Sequence, residues 1–300
     1  MSLSTRNKYQ NGLTLVELMI AMVISLVLVG GVTQTYISTK QTYRLTEAQS
    51  RIQENGRFAL YLLTRDIRMA DFWGCLTTPP KSADNHLAVT TGIYDFTDGL
   101  AATNDAGLND SDTITLKGVS NNGVHLTQVV SNATDVQTVS DNSGLGVGVV
   151  VLLSNCLQGE IFQIDSTGST GAVTLDNTYG LDASIYKPEA RIYSIGPGAS
   201  GEPALLLNGV ELVEGVENMQ ILYGEDTDGD LTPNYYVDAA TVTDMEQVVS
   251  VKVSLLLRSM ENNVTSSNLV VTYNNGTSII ANRRLGRVFS ATINIRNRMQ

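Results

Sequence analysis

The sequence has few of the residues and motifs on which enzymes most often depend. Its 300 residues include two histidines, His86 and His125, and both lie in polar stretches. No HExxH, GxSxG or phosphate-binding P-loop pattern occurs. The glycines within 144–148 precede a predicted strand rather than a helix, which is not the arrangement of a dinucleotide-binding fingerprint. We therefore expect a protein that is not an enzyme.

Positive charge is also scarce. Lys and Arg number 19 against 30 Asp and Glu, which gives a net charge of −11. Surfaces that bind nucleic acids need basic patches, so this balance argues against a nucleic-acid partner. A group of arginines near the C-terminus has two interpretations: it meets an acidic face of a partner subunit, or it keeps solvated strand edges from aggregating. These arginines are Arg283, Arg284, Arg287, Arg296 and Arg298.

Proline is absent before Pro79, and the first part of the chain carries helical patterns instead. The segment 13–33 is apolar and about 20 residues long, the length that a helix needs to cross a bilayer. The leader before it, residues 1–12, contains basic residues and no acidic one, which places it in the cytoplasm and the rest of the chain across the membrane. The expected cleavage point is Gly12, so that cleavage removes the leader and retains the apolar helix.

The same helix is expected to continue beyond the membrane as an amphipathic segment, residues 34–71. Apolar or small residues recur there at spacings of three and four, which is typical of one helical face packed on a core. Asp66 falls among the polar residues of the opposite face. Gly30, Gly31 and Gly56 are weak points, because a glycine lowers helix propensity by about 1 kcal/mol. The expected packed face comprises Leu45, Ala48, Ile52, Gly56, Ala59, Leu63, Ile67 and Ala70.

Residues 72–300 have the pattern of a β-rich domain. Short β-branched runs alternate with turn-forming residues, and helical patterns are scarce. In "VVSVKVSLLLRS" and "RVFSATINIRN" apolar and polar residues alternate, which favours antiparallel strands with one buried and one solvated face. The predicted fold class is therefore α+β. A long N-terminal helix, half of it transmembrane, packs its outer half on a C-terminal antiparallel β-rich domain.

Cysteine occurs twice, at Cys75 and Cys156. An even count in a domain outside the cytoplasm favours a disulfide, with two free buried thiols as the alternative. The disulfide would tie the end of the helical region to a predicted strand that ends in "LLSNC".

Three aspartates at alternate positions, Asp226, Asp228 and Asp230, suggest a calcium loop. Calcium loops use carboxylates at positions 1, 3 and 5, but they also need Gly at position 6 and a bidentate Glu at position 12. Leu231 and Val237 occupy those two places. Two interpretations stay open: a weak Ca²⁺ site, or an acidic turn between two strands.

The start of the apolar segment, "G-LTLVELMIAM", resembles the N-terminus of type IV prepilins. The resemblance implies that a prepilin peptidase cleaves between Gly12 and Leu13 and that the new N-terminal residue, Leu13, is methylated. Most of the family has Phe where this chain has Leu13. The resemblance also implies that Glu17 pairs with the N-terminal amine of a neighbouring subunit. Such a pair would explain a carboxylate at membrane depth, which costs about 2.5–3.5 kcal/mol to insert.

Further stretches resemble the PilW group of minor pilins, namely "SRIQENGRFALYLLTRDIRMADFWGC", "ILYGEDTDGD", "VVSVKVSLLLRS" and "RVFSATINIRNR". The resemblance covers both ends of the chain, whereas residues 80–145 carry no motif that we recognise. It implies a pilin-like fold and a minor pilin of a type IV pilus. Such a subunit enters the filament near its tip and helps to initiate pilus assembly with other minor pilins.

The resemblance also implies partners and a location. The partners are other minor pilins, the major pilin, the prepilin peptidase and a pilus-tip adhesin. The location is the inner membrane, with the C-terminal domain in the periplasm before assembly and at the pilus tip afterwards. Two alternatives remain. One is a large pseudopilin of a type II secretion system, which shares the leader, helix and β domain, and the other is a membrane-anchored, calcium-dependent adhesive module.

Overall fold

The computed structural model describes residues 14–76, 83–87, 94, 98–120, 122–126, 129–131, 145, 148–164, 175–273 and 276–299. The expected leader and cleavage point, with Gly12 and Leu13, lie outside these ranges. Within them the chain forms one α-helix, eighteen strands and two 3-10 turns. In chain order the helix and strands are α1 (Leu15–Arg68), β1 (Ala83–Asn85), β2 (Leu100–Thr103), β3 (Thr113–Val119), β4 (Val124–His125), β5 (Val130–Ser131), β6 (Val150–Ser154), β7 (Gly159–Gln163), β8 (Thr178–Tyr179), β9 (Ser184–Tyr186), β10 (Pro188–Pro197), β11 (Pro203–Leu207), β12 (Val210–Glu214), β13 (Val216–Glu225), β14 (Tyr235–Val237), β15 (Val248–Arg258), β16 (Leu269–Tyr273), β17 (Gly276–Ile280) and β18 (Gly286–Asn294).

The helix α1 is continuous over 54 residues, which is about 80 Å at 1.5 Å per residue. It passes through Gly30 and Gly31 without a break, so the single long helix expected from the sequence is confirmed. Its bounds are Leu15–Arg68, slightly shorter than the expected span from Leu13 to Asp71. The helix ends where the chain turns into Asp71, whose backbone is left-handed with φ 62°.

The outer half of α1 packs on the β domain along a narrow stripe. The stripe begins at Ala48. The periodicity also places Leu45 on the packed face, but Leu45 is 39% exposed. Asp66 is the second departure from the pattern, because it is buried although the sequence puts it on the polar face. The buried residues of α1 are Ala48, Ile52, Gly56, Ala59, Leu63, Asp66 and Ile67.

The strands of the described ranges form three larger sheets and two small two-stranded ones. The four-stranded sheet has the order β14-β13-β15-β18, and one five-stranded sheet has the order β12-β11-β10-β3-β2. The other five-stranded sheet has the order β1-β7-β6-β9-β4, and the small sheets are β16-β17 and β5-β8. The pair β1 and β7 is parallel, and the other described pairs are antiparallel. The predicted α+β class with an antiparallel β-rich domain is therefore confirmed.

The main core lies between α1, the four-stranded sheet and the β12-β11-β10-β3-β2 sheet, and β15 runs through it. The expectation that β15 has one solvated face is wrong, since Lys252 is the one exposed residue of this strand. Polar residues on its second face are covered by hydroxyl partners. Ser250 Oγ lies 2.9 Å from the Tyr236 hydroxyl, and Ser254 Oγ lies 2.9 Å from the hydroxyl of Ser290.

Two smaller cores lie on opposite faces of β6. Successive residues of a strand point to opposite faces, so Val151 and Leu153 belong to one core, and Val150 and Leu152 belong to the other. Trp73, which follows α1, is buried in the second of these cores. The segment that leaves the helix is thereby joined to the β1-β7-β6-β9-β4 sheet.

Gly56 is the point at which α1 comes very close to β18. A Cβ atom at this position would lie 2.5 Å from Cε2 of Phe289. The guanidinium of Arg287 lies over the same ring, 5.5 Å from its centroid. Gly56 has a low helix propensity, but its lack of a side chain allows α1 and β18 to come into contact.

Replacing Gly56 by leucine is expected to destabilise the chain, although leucine is the better helix former. The added side chain must displace the Phe289 ring, and overpacking of this kind costs about 1–3 kcal/mol. The measurement is thermal unfolding of the full chain in detergent micelles. The matched control is Gly30→Leu, because a Cβ at Gly30 has no neighbour within 4 Å. An equal loss of Tm in both variants would contradict the packing explanation.

Candidate assembly site

The N-terminal end of α1 is organised around Thr14 and Glu17. The Glu17 N–H donates to Thr14 Oγ1 over 3.3 Å, and the Glu17 carboxylate accepts from the Thr14 N–H and hydroxyl over 3.0 Å each. This reciprocal arrangement is a capping box, which satisfies amide groups that a first helical turn leaves unpaired. The Thr-x-x-Glu spacing is visible in the sequence, and it indicates a role for Glu17 in addition to the predicted docking role.

The apolar part of α1 that follows Glu17 has no cover from its own chain. Within the described residues, α1 is the helix that is long and apolar enough to cross a membrane, and none of its most apolar window is buried. Leu15, Leu26 and Val32 are 77%, 76% and 69% exposed. Apolar surface of this extent requires lipid or the helices of other subunits as its environment.

A buried carboxylate joins the other end of α1 to β10. Asp66 Oδ1 lies 2.8 Å from both Arg65 Nε and Arg191 Nη1, and its Oδ2 accepts a hydrogen bond from the Tyr193 hydroxyl over 2.6 Å. Burial and this carboxylate together raise the pKa of Tyr193, and the hydrogen bond to Asp66 raises the pKa of Arg65. Asp66 is buried, contrary to the helical pattern, because β10 supplies a cation and a hydroxyl for it.

The last residues of the chain close the C-terminal end of α1. Asn297 Nδ2 donates to the Ala70 carbonyl over 2.9 Å, and Arg298 Nε lies 2.6 Å from the Asp71 carboxylate. Arg298 Nη1 donates to the Val248 carbonyl over 2.9 Å, at the start of β15. We call this set of bonds the C-terminal clip. It fixes the place at which the chain leaves the helix.

The disulfide expected from the cysteine count is confirmed. Cys75 and Cys156 are bonded, with their Cα atoms 4.4 Å apart and a sequence separation of 81. The bond joins the segment after α1 to the turn after β6, as expected. Closing a loop of this length stabilises a fold by about 4–5 kcal/mol on the chain-entropy account.

A charged cluster links β13, β15 and the segments that precede β11 and β18. Glu202 pairs with Arg284 over 2.7 Å and with Arg258 over 2.6 Å, and Arg258 Nε lies 2.7 Å from Glu217 Oε2. The hydrogen bonds from Arg284 lower the pKa of Glu202 to about 2. Burial raises the pKa of Glu217. Arg284 forms these bonds inside the domain, since its side chain is 6% exposed.

The C-terminal arginines therefore divide into two kinds. Arg284 and Arg298 hold the fold together, which contradicts both interpretations offered for them on sequence alone. Arg283, Arg287 and Arg296 are exposed, and no carboxylate of the described ranges forms an ion pair with them.

The three predicted calcium ligands lie close together. One carboxylate oxygen from each of Asp226, Asp228 and Asp230 lies within 4.8 Å of the others. Asp226 also accepts from the backbone N–H groups of Gly229 and Leu231 over 2.7 Å and 2.8 Å. Burial opposes the ionised form, but these backbone hydrogen bonds outweigh it and lower the pKa of Asp226. The loop therefore has the hydrogen bonds of an acidic turn and also the oxygen donors that calcium prefers.

The two histidines lie at opposite edges of the β1-β7-β6-β9-β4 sheet, with three strands between them. His86 Nε2 lies 2.9 Å from the carboxylate of Glu160, which is fully buried. His125 Nδ1 lies 2.9 Å from the Ser184 hydroxyl in the neighbouring strand. The histidines share no site, and each has a local partner.

Two family models match the chain in the regions just described. The model of the prokaryotic N-terminal methylation motif matches residues 7–33, which include the capping box and the apolar part of α1. The model of type IV pilus-assembly protein W, PilW, matches residues 192–297. The chain is similar to PilW minor pilins. A comparison with curated proteins and one with solved structures each found no match.

The PilW match covers the part of the β domain on which the helix packs. It begins within β10 and extends to Asn297, so it includes the Glu202 cluster and the aspartate loop, but it stops before Arg298 of the C-terminal clip. Together the two matches make the chain similar to type IV pilins in its N-terminal helix and in its β domain. A pilin is a structural protein, and this agrees with the absence of catalytic motifs from the sequence.

Acid is expected to weaken the fold through Glu202. Its pKa is about 2 in the folded chain and about 4.3 when unfolded. The ion pairs therefore stabilise the fold above the unfolded pKa, and this contribution is lost as the pH falls towards 2. Glu202→Gln is expected to lower the free energy of unfolding by about 1–3 kcal/mol at pH 7, and less as the pH approaches 2.

Urea unfolding of the full chain in detergent at pH 7, pH 4 and pH 2.5 measures this dependence. Glu54→Gln is the matched control, because Glu54 is exposed on α1 outside the Glu202 cluster. A difference between the Glu202 variant and the parent chain that stays constant with pH would contradict the ion-pair explanation.

Proposed function

We propose that the chain is a minor pilin that enters a type IV pilus near its tip and helps to initiate assembly with other minor pilins. The observation that carries the proposal is the uncovered apolar helix that begins at the Thr14–Glu17 capping box inside a methylation-motif match. Such a helix is held first by the membrane and then by the helices of neighbouring subunits. The PilW match of the β domain supports a minor pilin.

Glu17 would determine where the subunit fits. Cleavage after Gly12 creates a positively charged amine on Leu13, four residues before Glu17, so both groups belong to one face of a helix. A buried ion pair adds little net stability, whereas a buried charge without a partner costs several kcal/mol. A subunit is therefore accepted only where its carboxylate meets the amine of a neighbour. The capping box supports this role because it orients the carboxylate towards the N-terminal end of the helix.

The proposal names a set of partners and two locations. The prepilin peptidase processes the chain in the inner membrane, with the β domain in the periplasm. Other minor pilins and the major pilin contact α1 in the filament, and a tip adhesin is presented there. A pseudopilin of a type II secretion system would use the same helix, and the PilW match favours the pilus over that alternative.

The mature protein is expected to begin with methylated Leu13. Mass spectrometry of the N-terminal peptide of the native protein measures this directly. The control is a strain without the prepilin peptidase, in which the residues before Leu13 are retained. A native chain that keeps Met1 would contradict assembly and favour a static membrane anchor.

Glu17→Gln is expected to abolish piliation while the β domain stays folded. Glutamine keeps an oxygen that can cap the helix but lacks the charge that pairs with an amine. The control is Thr14→Ala, which removes the cap and keeps the charge, and which is expected to retain pili. Electron microscopy counts the pili, and thermal unfolding of the full chain in detergent checks the fold. Normal piliation with Glu17→Gln would rule out docking by charge.

We also propose that the aspartate loop binds Ca²⁺ weakly. The observation that favours it is the approach of three carboxylate oxygens to within 4.8 Å of one another. Calcium takes six to eight oxygen ligands, and the loop lacks the bidentate Glu of high-affinity sites. Asp226, Asp228 and Asp230 would hold the ion, with an affinity in the range of weak extracellular modules, Kd of about 10⁻⁴–10⁻³ M. Its role would be to stiffen a surface loop that can take part in adhesion.

Millimolar CaCl₂ is expected to raise the Tm of the full chain relative to the same sample in EDTA. The reason is that an ion that binds only the folded state stabilises it by mass action. Asp228→Asn is expected to remove the shift, whereas Asp182→Asn, an exposed aspartate outside the loop, is expected to preserve it. Identical melting with and without EDTA would rule out the site.

A further inference from the structure

The hairpin formed by β16 and β17 carries no charge, although the chain as a whole is strongly acidic. Its residues, "LVVTYNNGTSII", include no Asp, Glu, Lys, Arg or Pro. Most of them are β-branched or aromatic residues, which favour strands. The two strands pair in regular register, with Leu269 opposite Ile280 and Thr272 opposite Thr277. Neither strand pairs with a third one in the described part of the chain.

Both outer edges of the hairpin therefore present backbone N–H and C=O groups to which no described strand is paired. Natural proteins protect such edges with charged residues, prolines or bulges, because an uncharged edge readily pairs with another chain. The hairpin has none of these protections, since its register is free of bulges and its sequence is free of charge.

One face of the hairpin is anchored and the other is free. Ile280 is 2% exposed, and a Cβ on Gly286 at the start of β18 would lie 2.7 Å from Ile280 Cγ1. The inner face thus rests on β18. On the outer face Val270 and Ile279 are 66% and 67% exposed, and they lie directly opposite each other across the two strands. The hairpin therefore holds an apolar cross-strand pair in a fixed position towards solvent.

Three arginines without an ion-pair partner lie close to the hairpin in the chain or contact the segment that leads to it. Arg283 follows β17, and Arg287 lies in β18 next to Gly286. Arg44 of α1 donates to the Asn262 carbonyl over 2.9 Å, in the segment that leads to β16. No ion pair joins these three arginines to a carboxylate among the residues that the structure describes. A partner that suits the surface therefore carries acidic side chains near Arg283, since carboxylates of this chain lie near Tyr273 at the turn end of the hairpin.

The contact between Arg44 and Asn262 also locates the hairpin. Arg44 precedes Ala48, the first residue of α1 that is buried in the domain. The hairpin therefore lies at the end of the domain that faces the membrane-spanning part of the helix. Subunits held in a membrane by such a helix can join a filament only at its membrane end, so this end of the domain meets the subunit that enters next. This step rests on the proposed function.

We propose that the β16–β17 hairpin binds an extended strand from the globular domain of the pilin that enters the filament next. The strand adds to an outer edge of the hairpin through backbone hydrogen bonds, and its apolar side chains cover Val270 and Ile279. Acidic residues beside that strand pair with Arg283 and Arg287. The occupant is a different pilin rather than a second copy, because a subunit near the tip is followed by pilins of other kinds, and a two-fold pair of this chain would oppose the same arginines.

The first test places a lysine at Val270 or at Ile279 of the full chain, in cells that express the complete pilus system. A charge on the outer face disrupts packing of the added strand, so at least a tenfold loss of pili is expected. Val210→Lys is the control, because Val210 is 68% exposed on β12, the edge strand of another sheet, and it is expected to leave pili unchanged.

Normal pili in both hairpin variants, with Glu17→Gln still defective, would overturn the hairpin proposal alone. Normal pili with Glu17→Gln as well would overturn the proposed function.

The second test identifies the partner even if a lysine variant fails to fold. A photo-crosslinking amino acid replaces Val270 in the full chain, co-expressed in one membrane with the pilins of the same system. Peptide mass spectrometry is expected to map the crosslink to a strand of another pilin, with Asp or Glu beside it. A crosslink to a second copy of this chain only, or to lipid only, would overturn the choice of partner.

Discussion

The packing of one narrow stripe of α1 on the β domain determines how the rest of the molecule is arranged. At Gly56 the absence of a side chain lets the Phe289 ring of β18 reach the helix backbone. Because the stripe is narrow, the other sides of the helix stay exposed even beside the domain, as Phe58 and Tyr61 show at 49% and 63% exposure. The same helix therefore holds its own domain with one side and leaves the remaining sides exposed.

Directional bonds secure the end of the helix, where the apolar stripe stops. Asp66 is tied to β10, Asp71 is tied to Arg298, and the Cys75–Cys156 bond follows within a few residues. Apolar packing alone would allow the helix to slide or rotate on the sheet, since it has little directional preference. These bonds have defined geometry, and together they fix one position of the helix relative to all three larger sheets.

The parts of the fold that follow from local periodicity could be predicted from the sequence. The helix, its buried stripe and the alternation in β18 are of this kind. The disulfide could also be predicted, but from the cysteine count and the expected compartment. The burial of Asp66 and Arg284 could not be predicted, because their partners lie far away in the chain. The burial of both faces of β15 could not be predicted either, because side chains of other strands cover the second face of this strand and leave Lys252 alone exposed. The docking role of Glu17 stays a prediction, since another subunit must supply half of the pair.

Closure of α1 by Asn297 and Arg298 sets the earliest moment at which the subunit can finish folding. The helix is synthesised first, whereas Asn297, which closes it, is made 227 residues after Ala70. Until they arrive, the Asp71 carboxylate and the Val248 carbonyl lack their native donors. The junction between the helix and the sheets can therefore reach its final shape only after the chain has been made as far as Arg298.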